Sequence, residues 1–78
     1  MAVVRYFAGA AEAAGTDVEQ LPAGTVGELR AIMLAHHGDR LAQVIDRCSI
    51  LVDGVRSDDA ATLQASDVVD VLPPFAGG

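Results

Sequence analysis

The residues best suited to chemistry stand at the end of the chain, in the segment Leu72-Pro73-Pro74-Phe75-Ala76-Gly77-Gly78. Pro73 and Pro74 have no backbone N–H to donate to a sheet, so a preceding strand must end there and the chain continue extended. Four residues beyond the prolines can then span roughly 13–14 Å. A Gly-Gly tip has no side chains and fits a channel too narrow for Cβ atoms. Its one functional group is the Gly78 carboxylate, which an ATP-dependent adenylating enzyme could activate, although most termini are simply frayed.

Two other groups of reactive side chains predict structural roles. His36 and His37 are neighbours on a predicted helix, so their side chains point about 100° apart and cannot easily bind one metal ion. We expect His36 to pack against the core at the end of that helix. Cys48 opens an apolar strand, where cysteine behaves as a small hydrophobic residue rather than as an activated nucleophile.

The acidic residues and the glycines form no recognisable catalytic arrangement. Asp58-Asp59 and Asp67…Asp70 lack the spacing of a calcium-binding loop, so we predict solvated positions and, for Asp67, a turn. The glycines do not form a phosphate-binding loop after a strand. The sequence therefore predicts neither a metal site nor an autonomous active site.

Length, charge and cysteine content exclude several classes of function. The 78 residues fit one domain, and 5 Lys+Arg against 11 Asp+Glu give a net charge of −6, which argues against nucleic-acid binding. No apolar run approaches the ~20 residues of a membrane span, and we predict no signal peptide. The single cysteine cannot form an internal disulfide, so the sequence predicts a reducing, cytoplasmic environment.

Hydrophobic patterns predict the elements that would position the C-terminal segment. Strands are predicted at residues 2–7, 16–21, 48–52 and 68–72, a short helix at 8–14, and a main helix from Thr25 to Gly38 with a further turn to Asp46. Thr25-Val26-Gly27-Glu28 fits a capping box, and Asp53-Gly54 is a strong hairpin signal. This order predicts an α+β fold: a mixed sheet with one main helix packed on one face.

A tail alone cannot hold a partner protein, so an apolar surface should adjoin it. The first strand places Val3, Arg5 and Phe7 on its more polar face. We predict that the partner docks on Phe7, Pro73, Pro74 and Phe75. A position in the core is the alternative for Phe7. The net charge predicts partners with basic rims.

Three segments resemble the ubiquitin-like β-grasp sulfur carriers of the MoaD/ThiS type, and most specifically the MoaD type, the small subunits of molybdopterin synthase. They are Tyr6-Phe7-Ala8…Glu12…Gly15-Thr16-Asp17, Val52-Asp53-Gly54 and Val71-Leu72-Pro73-Pro74-Phe75-Ala76-Gly77-Gly78. The resemblance covers nearly the full chain, and its last eight residues are the specific part. It implies a β-grasp domain over residues 1–74 and a flexible Gly-Gly tail over residues 75–78.

The resemblance also implies a role. An E1-like enzyme of the MoeB or ThiF type would use ATP to adenylate the Gly78 carboxylate, and a cysteine desulfurase or rhodanese would supply sulfur for a thiocarboxylate. The tail, residues 75–78, would enter the active site of a MoaE-like large subunit and donate sulfur to cyclic pyranopterin monophosphate, forming the molybdopterin dithiolene. The chain would bind no cofactor and would be catalytic only as part of molybdopterin synthase.

Other functions are compatible with the same tail. The carrier could deliver sulfur to thiamine thiazole, cysteine or tRNA, although thiazole-type carriers usually lack the segment that resembles residues 8–15. A ubiquitin-like modifier would instead join Gly78 to a lysine of a target protein. A plain interaction domain with an inert tail is the third alternative.

Overall fold

The fold is a five-stranded mixed sheet with both helices packed on one face. It is seen in a computed structural model that describes residues 1–74. The strands are β1 (Ala2–Tyr6), β2 (Val18–Leu21), β3 (Ser49–Val52), β4 (Val55–Arg56) and β5 (Val68–Leu72), and the helices are α1 (Ala8–Ala14) and α2 (Val26–Ile45). The strand order is β2-β1-β5-β3-β4. Among the described strands, β1 and β5 are parallel neighbours and the other three neighbouring pairs are antiparallel. The α+β prediction is confirmed.

The core lies between the sheet and α2. Successive side chains of a strand point to opposite faces, so alternate residues of β1 and β5 meet the helices. The buried side chains of the sheet include Ala2, Val4, Tyr6, Val69 and Val71, and those of α2 include Leu29, Met33, Leu41 and Ile45. The β-branched valines favour strand positions, and the apolar residues of α2 recur on the one helix face that meets the sheet.

Helix α2 is a kinked helix that begins and breaks where the sequence predicts. The Thr25 Oγ1 atom accepts a hydrogen bond from the Glu28 backbone N–H at 3.1 Å, which satisfies one free donor of the first turn. Gly38 has φ 67° and ψ −151°, a conformation open to glycine because it has no Cβ. The chain then resumes helical geometry to Ile45, so the predicted helix and the predicted following turn form one element.

The hairpin between β3 and β4 is fixed to β5 by its turn residue. Asp53 and Gly54 both have positive φ, 48° and 85°, as a tight two-residue hairpin requires. The Asp53 backbone N–H donates to the Val68 carbonyl at 2.8 Å, and the Asp53 Oδ1 accepts from the Val68 N–H at 2.9 Å. The hairpin is therefore held against the start of β5, beside the strand that leads to the C-terminal segment.

Candidate functional site

Three of the predicted docking residues lie together where the central strand β5 ends and the C-terminal segment begins. This end of the sheet is here called the sheet edge. Strand β5 ends at Leu72, so the prolines do end it, and Pro73 and Pro74 follow at its end. Phe7 lies beside this strand end, because its backbone N–H donates to the Val71 carbonyl at 3.1 Å. Pro74 is exposed and Pro73 half-buried. Phe75, Ala76, Gly77 and Gly78 lie outside the described residues, so their predicted roles stay predictions.

Phe7 is a surface residue and not part of the core. It follows β1 as the N-cap of α1, and it is 38% exposed. Ala8, the next residue, has φ 48°, a left-handed conformation that alanine rarely adopts. This turn carries the chain into α1 and leaves the Phe7 ring at the sheet edge. Its exposure removes the core alternative, while docking through Phe7 stays a prediction.

The sheet surface opposite the helices carries a second apolar area. The strand registers place Val3, Arg5, Val18, Leu51, Val68, Asp70 and Leu72 together on this surface, here called the open face. Val18 is exposed, and the aliphatic side chains of the other strands are half-buried. Both helices pack on the opposite side, since α1 contacts α2 and its Ala10 joins the core. The Cζ atom of Arg5 lies 5.7 Å from the centroid of the Phe7 ring, so the open face is continuous with the edge that carries Phe7.

An ion pair occupies the middle of the open face. Arg5 Nε donates to Asp70 Oδ1 at 2.6 Å, and Arg5 Nη2 donates to Asp70 Oδ2 at 2.8 Å. The hydrogen bond and charge of Asp70 raise the pKa of Arg5 above its usual value. The prediction that Asp70 is a solvated residue is wrong, because its side chain is only 16% exposed. The register that sets Arg5 opposite Asp70 is a property of the tertiary fold.

A second polar cluster, which sequence reasoning missed, joins the helix layer to the sheet. Glu19 of β2 accepts a hydrogen bond from the Tyr6 hydroxyl at 2.6 Å and one from His37 Nε2 at 2.5 Å. The Tyr6 and His37 rings meet edge to face, with centroids 5.7 Å apart. We call Tyr6, Glu19 and His37 the clamp. It ties β1, β2 and α2 together immediately before the break at Gly38.

The clamp corrects the prediction for the two histidines. His36 is exposed, and His37 is the one that packs. The spacing of four residues from Leu29 through Met33 to His37 follows one helix face and could have indicated this. Because a carboxylate cannot donate, the Nε2 atom of His37 must carry the proton that it shares with Glu19.

The clamp shifts the pKa values of its two acidic groups in opposite directions. Burial alone would raise the pKa of Glu19, but the hydrogen bonds from Tyr6 and His37 outweigh it and the pKa is lowered. Burial raises the pKa of Tyr6 strongly, and the hydrogen bond and charge of Glu19 add to the effect. The Tyr6 side chain is almost wholly enclosed. This geometry fits a structural role rather than a catalytic one.

Cys48 has the environment of a structural thiol. It lies directly before β3, half-buried, and its Sγ donates to the Val44 carbonyl at 3.2 Å. Burial raises the pKa of the thiol, partly opposed by the charge of Arg30. A cavity of 590 Å³ adjoins Cys48 and is lined by Arg30 and Arg56 among others. Arg30 is already paired with Asp46 at 3.1 Å and lies 3.5 Å from Asp59, so its charge is matched within the chain.

The part of the chain that the structure describes offers neither a metal centre nor a membrane-spanning helix. Among residues 1–74 no group of three or more His, Cys, Asp or Glu side chains is placed to hold a metal ion. None of the helices in that range has both the length and the apolar character needed to cross a membrane.

Comparison with protein families decides the relationship. The model of the ThiS family matches residues 4–78. The chain belongs to the ThiS family. No curated protein sequence matches it significantly. The ThiS-family match spans the sheet, both helices and the C-terminal segment, and it confirms the resemblance to MoaD/ThiS-type, ubiquitin-like sulfur carriers.

Solved structures give the same fold. SAMP1 from Haloferax volcanii shares 23% identity with a TM-score of 0.86, covering 99% of this chain and 98% of that one. A protein from Pyrococcus furiosus, provisionally assigned as molybdopterin converting factor subunit 1, shares 29% identity with a TM-score of 0.82, covering 95% and 97%. In the Helicobacter pylori complex of molybdopterin-converting factor subunits 1 and 2, the matched chain shares 27% identity with a TM-score of 0.76, covering 99% and 97%. The ThiS-family chain therefore has the predicted β-grasp fold.

The single tyrosine of this ThiS-family chain allows a direct test of the clamp. In the folded chain, we expect Tyr6 to stay protonated well above its ordinary pKa of 10.0. The protonated Tyr6 hydroxyl therefore stabilises the fold fully at pH values below the ordinary pKa, and this stabilisation is lost as the pH rises above it. Tyrosinate absorbance measured against pH, with circular dichroism as the monitor of folding, checks the expectation. Ionisation near pH 10 in denaturant is the control, and the same value in the folded chain would contradict the enclosed position of Tyr6.

The replacement Cys48→Ala should change stability and leave sulfur transfer intact. We expect a loss of about 1 kcal/mol in the free energy of unfolding, because a packed thiol and one hydrogen bond disappear. Chemical denaturation measures the loss, and mass spectrometry after incubation with activating enzyme, ATP and sulfur donor measures the transfer. Cys48→Ser, which keeps a donor for Val44, is the control. Abolished transfer by a folded Cys48→Ala chain would show that the thiol takes part in chemistry.

Proposed function

We propose that this ThiS-family sulfur carrier is the small, sulfur-donating subunit of molybdopterin synthase. The observation that carries the proposal is the position of Phe7 and the open face beside the strand end from which Pro73 and Pro74 continue. A partner that covers these surfaces would also receive the residues that follow the prolines. The likeness to two molybdopterin converting factor subunits, at 29% and 27% identity, supports this pathway.

The proposed reaction site is the Gly78 carboxylate. A free carboxylate is a poor electrophile, so its carbon must be activated before sulfur can attack it. The carboxylate oxygen would attack the α-phosphate of ATP and give an acyl adenylate, with pyrophosphate as leaving group. The terminal sulfur of a persulfide would then attack the acyl carbon and release AMP, giving an acyl disulfide. A thiol would cleave its S–S bond, forming a disulfide with the sulfur of the donor and leaving the thiocarboxylate on the chain. ATP in this scheme is a substrate of the activating enzyme, and the carrier holds no cofactor of its own.

The proposal includes three kinds of partner. An E1-like adenylating enzyme of the MoeB or ThiF type would activate the chain, a cysteine desulfurase or rhodanese would supply sulfur, and a MoaE-like large subunit would accept the loaded tail. The net charge of −6 favours basic rims around the docking sites of these partners. The free thiol of Cys48 accords with a cytoplasmic location.

The test measures two steps: the loading of sulfur onto the chain and the delivery of that sulfur to the pterin substrate. The chain is incubated with activating enzyme, ATP and sulfur donor, and its intact mass should rise by the difference between one sulfur and one oxygen atom. The loaded chain is then mixed with the large subunit and cyclic pyranopterin monophosphate, and molybdopterin should form. Loading without delivery would overturn the molybdopterin pathway but leave a sulfur carrier, whereas lysine-linked adducts in cells would favour a protein modifier. No loading would overturn the carrier mechanism.

A further inference from the structure

Arg5 lies on the open face beside Asp70, which belongs to the central strand of the sheet. The registers of the five strands place one row of residues straight across it: Val18, Arg5, Asp70, Leu51 and Arg56. Arg5 is flanked by Val3 of β1 and by the exposed Phe7, which directly follows β1. Any protein that covers this face from Phe7 to Val18 must therefore also cover the Arg5 guanidinium.

Two neighbours hold the guanidinium in one geometry in the free chain. Asp70 accepts from its Nε and Nη2 atoms at 2.6 and 2.8 Å, and the Phe7 ring centroid lies 5.7 Å from its Cζ atom. The bidentate pair orients the plane of the guanidinium, and the Phe7 ring lies beside it. Holding a side chain in one geometry before binding lowers the entropy cost of using it in an interface.

Asp70 uses only one side of the guanidinium. Arginine has five N–H donors, and the bidentate pair with Asp70 takes one from Nε and one from Nη2. The remaining donors, on Nη1 and Nη2, form the second fork at the end of the side chain. The Arg5 side chain is 49% exposed, so water can serve these donors in the free chain.

Covering this fork with a wholly apolar surface would remove its water and supply no acceptor. Buried donors without acceptors are costly, so such a partner would be disfavoured. A planar carboxylate has two acceptor oxygens with the spacing of the fork, so one carboxylate can accept two charge-assisted hydrogen bonds there, beside the pair that Asp70 already makes. The acidic chain as a whole favours basic partners, so an acidic group in the middle of a basic-rimmed site would be a distinguishing feature.

We propose that Arg5, held by Asp70 and Phe7, is a specificity-determining residue that selects partner proteins presenting an Asp or Glu carboxylate inside an apolar docking patch. The inference rests on the proposed function, because it takes the open face as the docking surface of the carrier. It adds a specific acceptor requirement to a docking surface made largely of aliphatic side chains, and it identifies the residue that imposes the requirement.

The test measures binding of Arg5 variants to the large synthase subunit and the adenylating enzyme of the source organism. Arg5→Leu should weaken binding about 30-fold, because it leaves the partner carboxylate buried and unpaired. Arg5→Lys keeps the charge but loses the fork, so most of the loss should remain. Arg40→Leu removes a cation from α2, on the other side of the sheet, and is the matched control that should bind normally.

Stability measurements separate recognition from folding. Asp70→Asn weakens the same ion pair without removing the guanidinium, so it should cost stability as Arg5→Leu does but should lower affinity much less. Each Asp and Glu in the partner patch is then changed to its amide. One of these substitutions should weaken binding of the unsubstituted chain but should not weaken binding of Arg5→Leu any further. That coupling is the signature of a direct Arg5–carboxylate pair.

The outcomes are distinguishable. Binding of Arg5→Leu as tight as that of Arg40→Leu overturns the inference and leaves the proposed function standing. Weak binding without coupling to any partner carboxylate also overturns it, in favour of a carbonyl acceptor. If the unsubstituted chain binds neither partner, the proposed function fails and the inference fails with it.

Discussion

Deletion of Gly78 should abolish thiocarboxylate formation while the fold stays intact. The sheet and both helices lie within residues 1–74, so the last residue is not needed to build them. The shortened chain still ends in a glycine carboxylate, but this group falls short of the original position by about 3.3–3.6 Å. A misplacement of about 1 Å can already reduce a positioned reaction about 100-fold, so the truncated chain should form no measurable thiocarboxylate.

Three further variants show whether the position of the carboxylate is the cause. One added residue after Gly78 displaces the carboxylate outward by a similar distance, and Gly78→Ala keeps the reach but adds a Cβ atom; both should strongly reduce loading. One residue added before Met1 lengthens the chain equally, at the end of β1 remote from the Pro73–Pro74 edge, and should load normally. Intact mass over time gives the rates, and circular dichroism verifies the fold. Loading of the truncated chain at the original rate would refute Gly78 as the reaction site.

Most of the fold could be predicted because its signals are local. The capping residue Thr25, the break at Gly38 and the turn at Asp53-Gly54 each act within a few residues of chain, and the structure confirms all three. The alternation of β1 was sufficient to separate its two faces. Such signals depend on backbone geometry and burial, which a short stretch of sequence reports directly.

The two polar clusters could not be predicted, because each depends on a register set by the whole sheet. Arg5 and Asp70 are 65 residues apart and meet because β1 and β5 are parallel neighbours. Tyr6 and Glu19 approach through the β1–β2 pairing, and His37 reaches them only because the helix crosses that end of the sheet. No local pattern contains this information. The exposure of Phe7 was likewise undecided until the left-handed Ala8 was seen.

The two clusters are mechanically related through β1. Tyr6 points inward to the clamp, and its neighbours Arg5 and Phe7 point to the open face and the sheet edge. A slip of one residue in β1 would exchange these faces and remove both Arg5 and Phe7 from the docking surface. The clamp pins Tyr6 to β2 and α2, so it fixes the register that presents the other two. A weaker clamp would therefore lower the stability of the fold and also disturb the presentation of Arg5 and Phe7 on the docking surface.

The replacement Glu19→Ala should lower the free energy of unfolding at neutral pH by about 2–3 kcal/mol, because Tyr6 and His37 both lose a charged acceptor in a largely buried place. Small domains have about 0.05–0.15 kcal/mol of stability per residue, so this is a substantial fraction of the total. The Glu19 pKa is lowered below its ordinary 4.5 in the folded chain. Its contribution is thus present above that value and is lost as the pH falls through the folded pKa, so the two chains should converge in acid.

Denaturant unfolding of both chains across the acid range measures this convergence. Glu12→Ala, which removes an exposed carboxylate from α1, is the matched control and should change stability by no more than about 0.5 kcal/mol. A double-mutant cycle with Tyr6→Phe isolates the Tyr6–Glu19 bond, and a coupling energy should appear at pH 7 and vanish below the folded pKa of Glu19. An effect of Glu19→Ala as small as that of Glu12→Ala, or equal at every pH, would mean that packing of the aromatic rings, and not the shared carboxylate, holds β1 in register.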